Sequence, residues 1–134
     1  MKTSEIRSPR RRRSYAHCAM LAVALAIASS AARGQDAAAG KVGFEQCAAC
    51  HSVDGNNGVG PSLKGIVGRK AGSEPGFRYS HAMKSTTYNW DTSHLDAYLA
   101  NPQEVVPGNV MPFSGVPDTK ARADLIAYLQ TLKS

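Results

Sequence analysis

The sequence predicts an all-α fold of short helices joined by long loops. Three observations carry this. From Asp118 to Lys133 the chain places Ala121, Leu125, Tyr128, Leu129 and Leu132 at offsets of 0, 4, 7, 8 and 11, one continuous face of a helix. Between this segment and the middle of the chain, glycine, proline and asparagine recur at short intervals, and no stretch alternates as a strand would. Finally, Cys47-Ala48-Ala49-Cys50-His51 has the C-x-x-C-H pattern of covalent c-type haem attachment. So much loop is unexpected in a plain bundle, but it suits a chain wrapped around a planar cofactor.

The motif has a chemical logic. Two thiols two residues apart add to the two vinyl groups on one edge of a porphyrin. The next residue then lies under the iron, where its neutral imidazole can bind. Three other chemistries compete for the same residues. Structural zinc needs four Cys/His ligands, and the remaining cysteine, Cys18, falls in a leader. A redox dithiol expects a βαβ context, for which the sequence has no strands. A disulfide closing so short a loop gains little. Haem is the favoured reading.

The chain has 134 residues, enough for one domain. Its net charge of +6 sits entirely in residues 1–34, which hold seven basic residues and one acid; residues 35–134 balance nine against nine. Nucleic-acid binding therefore has no support in the charge. Residues 1–34 read as a cleaved signal peptide: Arg10 to Arg13, then the short apolar run Cys18 to Ala28, then small residues. Cleavage is placed near Gly34, with the bond after Ala32 as the alternative. The run is short for a membrane span, so stable insertion of the mature chain is not expected, and retention as an anchor is the competing reading. The Arg12-Arg13 pair weakly suggests a twin-arginine route. The general secretory route is preferred, because thioether-bound haem is added to an unfolded chain after export. Residues 35–134 are then a periplasmic domain whose apolar core is completed by haem. The haem-free chain is expected to be largely unfolded. A cooperative unfolding transition of apoprotein, followed by circular dichroism, would contradict this.

From the mature N-terminus, Ala37 to Cys47 reads as a short helix with Asp36 as N-cap and Gly40 and Phe44 on one face. Asp54 to Pro61 is loop, and a carbonyl there, with Pro61 the candidate, can accept the second ring N–H of His51. Ser62 to Pro75 holds a brief turn; Pro75 to Tyr79 is another turn; Ser80 to Ser85 is a short helix carrying His81 and Met83. Thr92 or Ser93 caps a helix through Leu99, with Asp96 at a loose capping-box spacing. Asn101-Pro102 ends it. Val105 to Gly115 is extended and irregular. The closing helix from Asp118 is expected to bury its apolar face on Gly40 and Phe44.

A histidine-bound iron needs a sixth partner or stays open to exogenous ligands. The candidates are Met83, Met111, His81 and His94. Both histidines read as solvated, and Met83 as core packing. Met111 is favoured: it lies far from His51 in a loop shaped by Pro107, Gly108 and Pro112, between apolar Val110 and Phe113. A thioether binds ferrous iron well, so a His/Met pair raises the potential.

Several motifs then fall in one order: Gly40-x-x-x-Phe44, the C-x-x-C-H stretch, Gly60-Pro61-Ser62-Leu63, Gly68-Arg69-Lys70-Ala71-Gly72, Pro75-Gly76-Phe77-x-Tyr79, Trp90, Tyr98-Leu99-x-Asn101-Pro102, Pro107-Gly108, and Met111-x-Phe113. With Arg122 to Leu129 they cover the mature chain, which closely resembles class I cytochromes c of the mitochondrial and bacterial c2 or c-550 type. The resemblance implies a small fold with N- and C-terminal helices crossing over one covalent haem c. It implies attachment at Cys47 and Cys50, and axial ligation by His51 and Met111. It also implies a Pro61 carbonyl bonded to His51, Tyr79 and Trp90 on the propionates with Arg69 nearby, Tyr98 near the Met111 sulfur, and Asn109 and Phe113 in the cofactor's surround. The expected function is that of a soluble single-electron carrier, not an enzyme. Its expected partners are redox proteins such as a membrane oxidase or reductase, and its expected state is monomeric. The competing classes are a haem peroxidase or gas-binding sensor, for which no distal histidine–arginine pair is evident, and an anchored electron-transfer domain. The family often has Thr-Lys before the methionine where this chain has Asn109-Val110. Gln46 and Gln103 stand where mitochondrial members carry lysines. Docking by a lysine ring is thus not expected, although Lys64, Arg78 and Lys84 leave some local charge.

Overall fold

The structure, a computed structural model, describes residues 34–133. The leader reading lies outside the described residues except for Gly34. Asp36 opens the first helix as expected: its carboxylate accepts from the N–H groups of Ala38 and Ala39 at 2.9 and 3.2 Å. The helix divides into α1 (Ala37–Gly43) and α2 (Glu45–Ala48). Phe44 between them keeps helical angles, φ −69° and ψ −18°, so the chain runs on in nearly the same direction. The break follows Gly43, the poorest helix former of the segment.

A long loop leads to α3 (His81–Lys84), capped by Ser80 on the N–H of Met83. The next helix, α4 (Thr92–Ala100), corrects two expectations. Its cap is Asp91, which accepts from His94 N–H at 2.8 Å, not Thr92 or Ser93. Asp96 forms no capping box, because it pairs with Arg122 Nε at 2.8 Å. Asn101 ends α4 and caps α5 (Pro102–Val105), a short helix that reaches only the first residue of the stretch expected to be extended, Val105 to Gly115. Asp118 caps α6 (Thr119–Thr131), bonding Ala121 N–H at 2.7 Å.

The most extensive helix contact is α1 on α6; α4 also packs on α5 and α6. Phe44 meets Tyr128 with ring centroids 5.3 Å apart. Leu125, Ile126 and Leu129 are buried with Leu95 and Tyr98 of α4. The expected face of α6 is shifted: Ala121 is exposed, while Arg122 and Asp124 are buried. Both polar groups are matched, as burial requires. Arg122 holds Asp96 and donates to the carbonyls of Val116 and Pro117, each at 2.9 Å. Asp124 accepts from Lys120 Nζ at 2.5 and 2.6 Å and from Asp36 N–H at 2.8 Å. The Lys120 bond, then the Asp36 N–H, hold its carboxyl below the usual range.

Candidate haem-binding site

Cys47, Cys50 and His51 share one helical turn at the end of α2. The N–H groups of Cys50 and His51 both donate to Cys47 O, at 3.0 and 2.9 Å. Residues at i, i+3 and i+4 of such a turn lie on one side, and all three line a single cavity. The two sulfurs are not joined in a disulfide. Burial, then the neighbouring Cys50, push the Cys47 thiol above its ordinary range. Among the described residues no group of three His, Cys, Asp or Glu side chains is placed to hold a metal, so a zinc cage gains no support.

His51 is oriented from the loop. Its Nδ1–H donates to Pro61 O at 2.7 Å, which leaves Nε2 with its lone pair. A hub behind Pro61 makes that carbonyl stationary. The fully buried Ser62 hydroxyl accepts from the N–H groups of Gly55 and Lys64, at 3.2 and 3.3 Å. Asn57 accepts from Ser62 N–H and donates to Pro75 O, at 3.0 and 2.9 Å. Arg69 donates to Ser62 O at 2.7 Å and pairs with Glu74, whose N–H reaches the Tyr79 hydroxyl at 3.3 Å. Gly60 lets the loop pass close to the imidazole: a Cβ there would lie 2.5 Å from His51 Cε1 and 2.7 Å from Nδ1. Gly60→Ala is therefore expected to displace the ring, lowering the yield of attached haem and altering the visible spectrum. An unchanged spectrum and yield would mean that the ring has room to spare.

The cavity holds about 270 Å³, the scale of a ligand site rather than of a packing void. Leu63, Ile66, Leu95, Leu99, Phe113 and Leu129 give it apolar walls. Among the described residues that line it, none is Lys, Arg, Asp or Glu. Trp90 and Tyr98 line it in mutual contact, with ring centroids at 4.9 Å, and Tyr79 lines it beside Phe77. Burial raises the Tyr98 phenol well above its usual range. Met111, Asn109 and Phe113 line it from the loop before α6.

Of the residues expected to hold or surround the haem, only Arg69 does not line the cavity; it braces the Pro61 loop from behind. Among the rival ligands, His81 and His94 stand away from it. His81 is exposed; His94 is half-buried, stacked on Tyr88 at 4.1 Å and paired with Asp91 at 2.9 Å, so it is not simply solvated. Met83 does line the cavity, as a buried member of the core. Leu95, Leu99 and Leu129 were legible as helix-face residues but not as cofactor walls, because periodicity does not say what a face meets. Gly60 and the Ser62 hub lay in a loop whose bonds leave no periodic signal.

A donor set of two thiols and an imidazole on one helical turn, facing an apolar cavity with methionine in its wall, fits a covalently held haem. The scaffold and site thus define a c-type haem protein. A family model described as "Cytochrome c" matches residues 37–133. The chain belongs to the cytochrome c family, as a class I cytochrome c with one covalently attached haem c. It is similar to cytochrome c2 of Rhodomicrobium vannielii, 47% identical over 84% of this chain and 92% of that one. It is also similar to "Cytochrome c-type cyt cy" of Rhodobacter capsulatus, 49% identical over 72% of this chain; there it spans only 49% of the relative's length. Among solved structures, cytochrome cH from Methylobacterium extorquens superposes with a TM-score of 0.70 at 48% identity, over 72% of this chain and 98% of that one. In this family the bound haem takes up and releases single electrons.

Proposed function

We propose that the chain is an exported, periplasmic carrier of single electrons, its haem attached through Cys47 and Cys50 and ligated by His51 and Met111. The observation that carries this is the shared cavity: the C-x-x-C-H turn, with His51 Nδ1 committed to Pro61, and Met111 are all in its wall. Cys47 and Cys50 anchor one edge. His51 presents an oriented lone pair. The apolar walls and the buried Trp90 and Tyr98 exclude water. The rim favours contact with another protein over a small substrate: Val59 and Val110 line the cavity and are 79% and 74% exposed. With no Lys, Arg, Asp or Glu among the described residues of the lining, partners are held by apolar contact more than by a lysine ring. The leader supports export, and among the described residues no helix is long and apolar enough to cross a membrane.

The test is expression with a bacterial haem-attachment system, followed by fractionation and ligand binding. The expected protein is periplasmic and shortened near residue 34, stains for haem after denaturation, exchanges single electrons reversibly, and in its reduced form binds carbon monoxide only slowly. Rapid carbon monoxide binding would move the reading to a sensor or peroxidase. A full-length, membrane-bound product would establish the anchored form.

A further inference from the structure

The loop that carries Met111 has few ties to the rest of the protein, and they converge on one side chain. Among the described residues, every hydrogen bond joining the loop between Gly108 and Ser114 to the body is made by Asn109 or by Gln103. Asn109 is 7% exposed. Its Nδ2 donates to Pro102 O at 2.8 Å and Val106 O at 3.0 Å, the carbonyls at the two ends of α5. Its Oδ1 accepts from Met111 N–H at 2.9 Å and from Gln103 Nε2 at 3.3 Å. Gln103 Nε2 also approaches Asn109 O and Met111 O, at 3.3 and 3.4 Å. Both amide hydrogens and the amide oxygen are therefore spent on the protein. Although Asn109 is part of the cavity wall, its polar atoms link Met111 to α5.

Backbone bonding cannot substitute for this link. Pro107 and Pro112 have no N–H to donate, and Gly108 turns the chain at φ +86°. The remaining loop bonds are local: Asn109 N–H to Val106 O and Phe113 N–H to Met111 O. Val110, between Asn109 and Met111, is exposed and lies outside the hydrophobic core. Opening the loop must therefore break the Asn109 bonds, and little else polar.

We propose that Asn109, seconded by Gln103, is the positioning residue that keeps Met111 on the cofactor and sets how readily that ligand leaves. The inference rests on Met111 being the sixth ligand. It concerns the equilibrium between a closed loop and an open one in which an exogenous ligand takes the position. Each lost hydrogen bond shifts that equilibrium by about 1 kcal/mol, somewhat under tenfold. Losing the Asn109 amide should then favour opening by about ten- to a hundredfold.

Imidazole binding to the ferric holoprotein reads this directly, because imidazole competes with the methionine. Asn109→Ala is expected to tighten imidazole binding about ten- to a hundredfold. Gln103→Ala, a change of an exposed residue that does not threaten folding, should tighten it a few-fold. Asp118→Ala removes the α6 cap and lowers overall stability without touching the loop; its imidazole affinity should equal that of wild type. If Asn109→Ala lowers the denaturation midpoint but leaves imidazole affinity at the wild-type value, Asn109 is merely structural and the proposal fails. If Asn109→Ala does not fold, Gln103→Ala decides: unchanged affinity there overturns the proposal. The wild-type spectrum separates this from its premise. A methionine band in wild type with unaltered imidazole affinity in the variants sinks the positioning role alone, whereas no such band in wild type sinks the ligand assignment and the proposal with it.

Discussion

Met111→Ala is expected to abolish the weak red absorption band of the ferric protein and to lower the reduction potential steeply. A thioether stabilises ferrous over ferric iron, so a His/Met pair sits high on the range available to haem proteins. Axial ligation tunes that range over about 0.8 V, and replacing methionine by water should move the potential by a few hundred millivolts. The reduced variant should also bind carbon monoxide quickly. The decisive comparison is with Met83→Ala, because both methionines line the cavity. Met83 is 8% exposed, inside the hydrophobic core. Its truncation should cost about 2–5 kcal/mol of stability while leaving the red band intact. The opposite pattern, with the band lost in Met83→Ala and kept in Met111→Ala, would transfer the ligand role to Met83.

That ambiguity marks where the sequence stops being informative. Spacing alone placed Cys47, Cys50 and His51 together, since a helical turn has a fixed geometry. Asp36 was legible as a cap because a cap is a local interaction between near neighbours. The Pro61 carbonyl was predictable from the need to fix the second nitrogen of His51. Longer-range choices were not legible. Asp91 and Thr92 both suit a helix start, and the decision fell to Asp91, while Asp96 was drawn away by Arg122, 26 residues on. The expected apolar face of α6 took no account of Arg122 and Asp124, whose burial depends on partners in α4, the Val116–Pro117 segment and the start of α1. The short helix α5 was hidden because Pro102 serves at once as a stop for one helix and a first residue for the next.

Gly40 is where a single methyl group should do the most damage to the fold. A Cβ at this position would lie 2.5 Å from the carbonyl carbon of Asp124, closer still to its oxygen, and 2.9 Å from Tyr128 Cβ. The obstructing atoms are mostly backbone, so relief requires α1 to move off α6. That movement would stretch the Asp36–Asp124 bond and part Phe44 from Tyr128. Helix propensity works the other way, since alanine is better than glycine by up to about 1 kcal/mol in a helix interior. Overpacking typically costs about 1–3 kcal/mol, and more where backbone must shift. The clash should therefore win, with Gly40→Ala losing about 2 kcal/mol net. Gly43→Ala isolates the propensity effect, because among the described residues nothing beyond its chain neighbours and its own helix backbone lies within 4 Å of a Cβ there. It should leave stability unchanged or raise it by up to about 1 kcal/mol. Guanidinium unfolding of the two holoproteins, followed by Trp90 fluorescence, reads both midpoints. If the two variants unfold together, α1 does not press on α6 at Gly40. If only Gly40→Ala falls, the closing helix is tied through this contact to the segment that leads into Cys47.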